Sequence, residues 1–278
     1  MLVSCNTSLL LKYFDTKEAI KLIKEAGFEA FDISVCEMNE TLDDNYLEIA
    51  KNLRKYADSL NIVCNQAHAT YPTFPSGTFE GESERVKRIK REIEFASILG
   101  AKVICIHPLC FWGPEENAKM FNLFKETAIK NNIKIGIENM FTIDSVTKRP
   151  AARACNSPES FTAHLNALDN NVFVGLLDIG HAEAVAEDGA SKIILALGNK
   201  RLQALHIHDN NKISDLHAMP YTQMIDFDKI LNALKEINYN GDITFEAERL
   251  NRFPKELVPY ALKLLAETGK YFRTRIQN

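Results

Sequence analysis

FVGLLDIGH, residues 173–181, is a short apolar run that ends in Asp178, with His181 three residues later. The six residues up to Asp178 have the length and composition of a buried β-strand. In parallel α/β folds, the side chains that do chemistry stand at the carboxyl ends of the strands. This stretch therefore predicts a buried strand that presents a carboxylate and an imidazole to a functional site.

Five more runs along the chain end in the same way, in a histidine or a carboxylate. They are IVCNQAH at 62–68, KVICIH at 102–107, IKIGIE at 133–138, LQALHIHD at 202–209 and DITFE at 242–246. In a closed parallel barrel, all the carboxyl ends of the strands open on one face. Six distant stretches of sequence would therefore deliver metal-binding side chains to one pocket.

Between these runs the apolar pattern changes to the longer period of amphipathic helices. Strands are predicted at 2–6, 29–35, 62–68, 102–107, 133–138, 173–178, 202–208 and 242–247, and helices at 17–27, 44–60, 82–100, 115–131, 158–168, 185–199, 226–239 and 254–273. Strands that alternate with helices pair in parallel through crossovers. Eight such units without a linker predict an α/β fold, a (β/α)8 TIM barrel in a single domain over residues 1–278, which suits a fold of about 250 residues.

Composition argues against several classes of function. Lys and Arg total 33 against 37 Asp and Glu, so nucleic acid is not expected as a partner. No apolar stretch approaches the roughly 18–20 residues of a bilayer span, and the N-terminus lacks a signal-peptide pattern. The six cysteines show no CxxC spacing, and Cys5, Cys64 and Cys105 lie within predicted strands. We therefore expect reduced core thiols in a cytoplasmic protein with no membrane partner.

Four of the strand-end residues form a candidate metal site. Glu138, Asp178, His206 and Glu246 end predicted strands 5 to 8, which are neighbours around a barrel. Three carboxylates and one imidazole suit Mn²⁺, Zn²⁺, Co²⁺ or Mg²⁺. Each residue alone is typical of an ordinary polar strand end. Gathered without a cation, however, the four would repel one another and lose solvation, so together they predict a divalent metal ion as cofactor.

A second group of strand-end and loop residues would line the same mouth. Its members are His68, His107, His181, Asp215 and His217. Each alone is more typical of a hydrogen-bonded structural residue or a substrate contact. Together they could hold additional metal ions or bind substrate hydroxyls. His208 receives no role, and His164 is expected on the surface of a helix.

The motifs LLDIGHA, LHIHDN, DLHAMP followed by IDF, and TFEAE resemble the xylose isomerase-like superfamily of TIM barrels. The resemblance spans about residues 60–250. That superfamily contains sugar and sugar-phosphate isomerases and epimerases, and also apurinic endonucleases of the endonuclease-IV type. The motifs are specific for the superfamily and much less specific for an activity within it.

The resemblance to the epimerase branch implies that Glu138, Asp178, His206 and Glu246 hold one metal ion. It also implies that Glu138 and Glu246 transfer protons and that His181 binds the substrate. The metal would polarise a carbonyl and stabilise the enediolate formed when the adjacent carbon loses a proton. One glutamate would remove that proton and the other return one, from opposite faces in an epimerase. The expected partner is a small sugar or sugar phosphate.

The resemblance to the endonuclease branch covers more positions. Nine residues match its trinuclear zinc ligands in order: His68, His107, Glu138, Asp178, His181, His206, Asp215, His217 and Glu246. However, CEMNETLDDN at 36–45 and PLCFWGPEEN at 108–117 are acidic and lack the basic side chains that hold DNA. A zinc-dependent apurinic endonuclease is therefore the alternative, beside a sugar-acid or inositol-pathway enzyme and a binding protein without activity.

Aromatic and basic side chains near the strand ends are candidate substrate contacts. Trp112 would stack on the apolar face of a sugar, or else cap the core. Arg249, three residues past Glu246, would bind a phosphate or a hydroxyl, or else remain solvated. The outward faces of the helices leave room for a homodimer. Neither GxGxxG nor GxxxxGK[ST] occurs, so no nucleotide cofactor is expected.

Overall fold

The central feature of the fold is one sheet of eight parallel strands, seen in a computed structural model that describes residues 1–278. The strands are β1 (Val3–Asn6), β2 (Ala30–Ser34), β3 (Val63–His68), β4 (Val103–Ile106), β5 (Lys134–Glu138), β6 (Phe173–Asp178), β7 (Leu202–His206) and β8 (Ile243–Phe245). Each strand up to β7 pairs with the next, and β8 pairs with β1. A bridge between Ile207 and Phe245 joins β7 to β8. The sheet is therefore a barrel, and the predicted (β/α)8 fold is confirmed.

Eight helices cover the outside of the barrel. They are α1 (Thr16–Ala26), α2 (Tyr46–Ser59), α3 (Ser83–Leu99), α4 (Pro114–Lys130), α5 (Pro158–Asn166), α6 (Gly189–Arg201), α7 (Phe227–Glu236) and α8 (Val258–Gln277). α6 and α8 begin four residues later than predicted, because short helices at Ile179–Val185 and Lys255–Leu257 precede them. The alternation of strand and helix follows the prediction throughout.

Capping residues explain why several helix boundaries were predictable. Asp15 accepts a hydrogen bond from the Glu18 N–H at the start of α1, and Asp226 does the same for Lys229 at the start of α7. Each carboxylate satisfies an N–H that has no partner within the helix. Gly27 ends α1 with φ of 100°, a conformation that glycine adopts without the clash of a Cβ.

The interior of the barrel is apolar on one side and polar on the other. A small buried apolar cluster on β4, β6 and β7 consists of Val103, Cys105, Val174, Leu176 and Ala204. Between β1, β3 and β8, by contrast, Ser4 Oγ donates to Asn65 Oδ1 at 2.7 Å, and Asn65 Nδ2 donates to Thr244 Oγ1 at 3.3 Å. Because these buried polar groups are paired, the barrel can carry ionisable side chains near its centre.

Three of the short elements that have no counterpart in the sequence prediction follow strands of the barrel. They are the helices Ser8–Leu11 and Ile179–Val185, and an antiparallel ribbon that pairs Phe141–Ile143 with Pro150–Ala152. They follow β1, β6 and β5, so all three lie in loops at the carboxyl ends of strands. Such loops form the mouth of a barrel site.

His164 corrects one expectation, because it is buried rather than on the surface of α5. Its Nδ1 lies 2.7 Å from the Ser160 carbonyl oxygen, and its Nε2 lies 3.3 Å from Asn117 Nδ2. α5 packs against α4 and α6, and the histidine side chain is enclosed between α5 and Asn117 of α4. A polar residue in an amphipathic pattern does not reveal whether a neighbouring helix will cover it.

All six cysteines are free thiols. Cys5, Cys64 and Cys105 are buried in strands as predicted, whereas Cys36 and Cys110 are only half-buried and are not core residues. None of the helices has the combination of length and hydropathy that a bilayer span requires.

Candidate active site

A cavity of about 600 Å³ opens at the carboxyl ends of the strands. Among the predicted site residues, its walls include His68, His107, Trp112, Glu138, His181, Asp215, His217 and Glu246. Asp178 and His206 are fully buried just behind Glu138 and Glu246. The barrel thus gathers the side chains that the strand ends were predicted to deliver.

A larger cavity of about 930 Å³ lies at the opposite end of the barrel, where the strands begin. Its walls include Lys102, Lys134 and Asp242 but none of the predicted site residues. It contains no histidine and no convergent group of carboxylates. The smaller cavity is therefore the candidate active site, because the converging carboxylates and histidines line it.

Four buried residues form the first cluster, which we call the inner site: Glu138, Asp178, His206 and Glu246. One ligand atom from each residue lies within 4.8 Å of the others. His206 Nδ1 lies 2.9 Å from Glu138 Oε1 and 3.5 Å from Glu246 Oε2. The four side chains come from the ends of β5, β6, β7 and β8, so the geometry follows from neighbouring strands of one barrel.

The hydrogen bonding of Asp178 indicates whether the inner site fits a cation. One carboxylate oxygen, Oδ1, accepts a 2.7 Å hydrogen bond from the His181 N–H and so caps the helix Ile179–Val185. The other, Oδ2, is buried without any hydrogen-bond partner. An unpaired buried polar atom costs about 1–3 kcal/mol. A divalent ion held by Glu138, Asp178, His206 and Glu246 would satisfy it, so the residues fit such a metal.

Asp32 on β2 is a neighbour of the inner site that the sequence analysis missed. Its Oδ2 lies 3.4 Å from Nε2 of His206, the ring nitrogen that faces away from the glutamates. Asn6 Nδ2 at 3.0 Å and Gln66 Nε2 at 3.3 Å donate to the same oxygen. The β2–β3 register shifts at Phe31 and Asp32. A carboxylate behind a ligating histidine fixes the orientation of its ring. The one available signal was an aspartate in the middle of the strand AFDIS.

The two glutamates of the inner site differ in their electrostatics. Burial opposes ionisation of Glu138, but His107 and His206 outweigh it and hold the pKa of Glu138 well below its usual value. Burial raises the pKa of Glu246 to about 8, and the nearby Glu138 and Asp178 add to this effect against the histidines. These pKa values belong to the metal-free protein, because a bound cation would favour ionised carboxylates. Environments that separate the pKa values of two carboxyl groups are typical of acid–base sites.

On one side of the inner site, two histidines contact Glu138. His107 Nε2 lies 2.7 Å from Glu138 Oε2, and His68 Nε2 lies 3.1 Å from His107 Nε2. His68 Nδ1 is fixed by the Ala69 carbonyl oxygen at 2.8 Å. Cys105 Sγ also lies 3.2 Å from Glu138 Oε2. Glu138 therefore meets groups on both sides that restrict its position.

On the other side, an outer site consists of His181, His208, Asp215 and His217, with one ligand atom from each within 4.8 Å of the others. Asp215 Oδ2 lies 3.3 Å from His181 Nε2 and 3.1 Å from His217 Nε2. Burial opposes protonation of His217, but Asp215 outweighs it and raises the pKa to about 10. His208 had no predicted role, yet its Nε2 lies 3.1 Å from Asp178 Oδ1 and 3.5 Å from Asp215 Oδ1.

Of the predicted substrate contacts Trp112 and Arg249, only Trp112 lies in the cavity wall. Trp112 lines the cavity and packs against Phe79, with ring centroids 5.9 Å apart. Arg249 is not among the lining residues, and its backbone N–H donates to the His217 carbonyl oxygen at 3.0 Å. The preceding residue, Glu248, occupies the cavity wall instead. Arg249 lies within the short 3₁₀ turn Glu248–Arg252 that follows β8.

Known proteins resemble this chain along most of its length. An uncharacterised protein of Methanocaldococcus jannaschii is 27% identical over 267 residues, which cover 90% of this chain and 85% of that protein. The L-ribulose-5-phosphate 3-epimerase UlaE of Shigella flexneri is 22% identical over 237 residues, which cover 82% of this chain and 81% of that protein.

Solved structures share the same architecture. D-psicose 3-epimerase in the presence of D-fructose matches with a TM-score of 0.78 and 14% identity, over 98% of this chain and 99% of that chain. The IOLI protein with a bound zinc atom matches with a TM-score of 0.72 and 20% identity, over 99% and 98% of the two chains. At these identities the likeness concerns the fold. The model of the family described as xylose isomerase-like TIM barrel matches residues 20–268. This chain therefore belongs to the xylose isomerase-like TIM barrel family.

Proposed function

We propose that this protein is a metal-dependent isomerase or epimerase of sugars, with Glu138 and Glu246 as its proton-transfer groups. The observation that carries the proposal is the inner site, where two glutamates with oppositely shifted pKa values reach one cavity beside an unpaired buried oxygen of Asp178. The relatives named as sugar epimerases, and the zinc atom of the IOLI protein, support the same activity and cofactor.

Glu138, Asp178, His206 and Glu246 would hold the divalent ion. When bound, such an ion would polarise a carbonyl group and stabilise negative charge on its oxygen. Glu138 and Glu246 reach the cavity from β5 and β8. One removes the proton from the carbon beside the carbonyl, and the other returns a proton to the resulting enediolate. His181 and His107, which also line the cavity, bind substrate hydroxyls.

The alternative of an apurinic endonuclease is not favoured. The nine residues that match its zinc ligands do gather in the inner site, the outer site and the pair His68–His107. However, UlaE and D-psicose 3-epimerase, which match most of this chain, are named as epimerases of a sugar phosphate and of a sugar. Cleavage of an abasic duplex by the purified protein, lost on chelation, would reverse this preference.

Exchange of the substrate's α-proton with solvent tests the proposal directly. With a ketose panel in D₂O, we expect the metal-loaded protein to incorporate deuterium and Glu246→Gln to reduce the rate by about 100-fold or more. Glu84→Gln is the matched control, because Glu84 lies on the exposed surface of α3. Metal content is measured in parallel, so that loss of the ion is distinguished from loss of the proton carrier. Undiminished exchange in Glu246→Gln would overturn the acid–base assignment.

A further inference from the structure

The walls of the candidate active site contain no lysine and no arginine. Five carboxylates line the cavity instead, namely Glu37, Glu138, Asp215, Glu246 and Glu248. Three of them belong to the inner and outer sites, where histidines and a metal ion would balance their charge. Glu37 and Glu248 belong to neither of these sites, so the charge of the remaining wall is negative.

Glu248 and Glu37 extend the acidic surface from the floor of the cavity toward solvent. Glu248 lies next to the floor, since a ligand atom of its carboxylate falls within 4.8 Å of those of His217 and Glu246. Ser8 Oγ donates to Glu248 Oε1 at 2.6 Å and holds the carboxylate in place. Glu37 is exposed at the rim. A substrate whose carbonyl end approaches Glu138 and Glu246 would pass Glu248 and bring its far end toward Glu37.

Aromatic rings form much of the remaining wall. Tyr71 stands 5.5 Å from the His107 ring, and Phe141 stands 5.1 Å from the His181 ring. Trp112 and Phe111 follow on the β4 loop. Such rings pack against C–H groups of a sugar but offer no partner to a dianion. A guanidinium near this rim, that of Arg153, lies 4.8 Å above the Phe111 ring and donates to the Ala152 carbonyl oxygen, outside the wall.

We propose that the substrate is an uncharged sugar, without a phosphate or carboxylate group, and that Glu37 and Glu248 determine this specificity. The inference rests on the proposed function and narrows its substrate class. Glu248 would accept hydrogen bonds from hydroxyls near the inner site, and Glu37 would accept them from hydroxyls at the end remote from the reacting carbon. A phosphate at that end would meet like charge with no cation in the wall, and such a juxtaposition weakens binding strongly.

The first test compares the metal-loaded protein on paired substrates, D-fructose and D-fructose 6-phosphate among them. We expect kcat/KM for α-proton exchange to favour the free ketose by about 100-fold. Glu248→Lys and Glu37→Lys should each shift the ratio toward the phosphate ester by about tenfold or more. Glu84→Lys reverses the same charge on the outside of the barrel and should leave the ratio unchanged. A wild-type preference for the ester, or an unchanged ratio in both Glu248→Lys and Glu37→Lys, would overturn the inference.

A binding measurement separates this inference from the proposed function. Calorimetry of the metal-loaded protein with sorbitol and with sorbitol 6-phosphate needs no turnover. If neither ketose nor ester exchanges its proton, the proposed isomerase activity fails, and the preference between the two polyols alone decides the specificity. Tighter binding of the free polyol, with loss of that preference in Glu248→Lys, supports the acidic wall as a filter. Tighter binding of the phosphate by the wild-type protein excludes it.

Discussion

At the scale of single residues, the capacity of the inner site to bind an ion depends on the partners of individual side-chain oxygen and nitrogen atoms. The two oxygens of Asp178 have different roles, because one caps a helix and the other is left without a partner. His206 Nδ1 lies 2.9 Å from Glu138 Oε1, whereas Nε2 faces the carboxylate of Asp32 at 3.4 Å without a hydrogen bond. Such neighbours determine how tightly a ligand set can hold an ion.

Asp32→Asn should weaken metal binding although Asp32 is not itself one of the four ligands. The substitution removes the negative charge that faces Nε2 of His206, so the ring is held less firmly, and we expect about a 10- to 100-fold loss of affinity. Titration with Mn²⁺ or Zn²⁺ by calorimetry measures it. Asp242→Asn, at the opposite end of the barrel, serves as the control. Equal affinities for Asp32→Asn and the unmodified protein would show that Asp32 does not orient the histidine.

At the scale of elements, the carboxyl ends of β5 to β8 deliver the inner site. The outer site combines His181, from a short helix after β6, with three residues from the loop after β7. That helix, Ile179–Val185, is capped by Asp178 and packs close to the loop after β7. Gly180 makes the approach possible, since a Cβ there would lie 1.9 Å from Cε1 of His208. Asn210 Nδ2 donates to the Gly180 carbonyl oxygen at 2.6 Å and fixes the contact.

Gly180→Ala should therefore displace the ring of His208 and disturb both sites. Because buried overpacking typically costs about 1–3 kcal/mol, the variant should unfold at a lower denaturant concentration. Gly113→Ala is the control, because its added Cβ would meet only the flexible end of Glu116 at 3.0 Å. Equal stability of the two variants would mean that the loop carrying His208 adjusts freely.

At the scale of the whole molecule, the barrel brings four strand ends together, so that their ionisable side chains share one buried site. Burial and the carboxylates around it raise the pKa of Glu246 to about 8 in the metal-free protein. Burial opposes protonation of His206, but Glu246 and Glu138 outweigh it and raise its pKa well above the usual value. At neutral pH, both groups therefore hold protons that a metal ion must displace.

Metal affinity should accordingly fall as the pH is lowered from 8 to 6. In this range the metal-free cluster gains or keeps protons while the metal-bound form excludes them, so affinity drops by about tenfold or more per pH unit. Calorimetric titrations with Mn²⁺ at several pH values measure the slope, and buffers of different ionisation enthalpy count the protons released. An affinity that does not change with pH would contradict protonation of the metal-free inner site.

Much of the architecture was predictable because its signals are local. The strand Phe173–Asp178 is apolar up to its last residue, and α1 has a capping aspartate and a terminal glycine. Local signals also place Glu138 and Glu246 at strand ends, where a barrel must gather them. His164 could not be predicted in this way, because its burial depends on Asn117 of a neighbouring helix.

By itself, the sequence determined the alternation of eight strands and helices and the strand ends that carry acids and imidazoles, since backbone period and side-chain type are properties of short segments. Only the tertiary structure decided that Asp32 faces His206, that His208 joins Asp215, and that Glu248 rather than Arg249 reaches the cavity. The physical reason is that these contacts depend on the register between strands and on loop packing, where residues far apart in the chain compete for the same space.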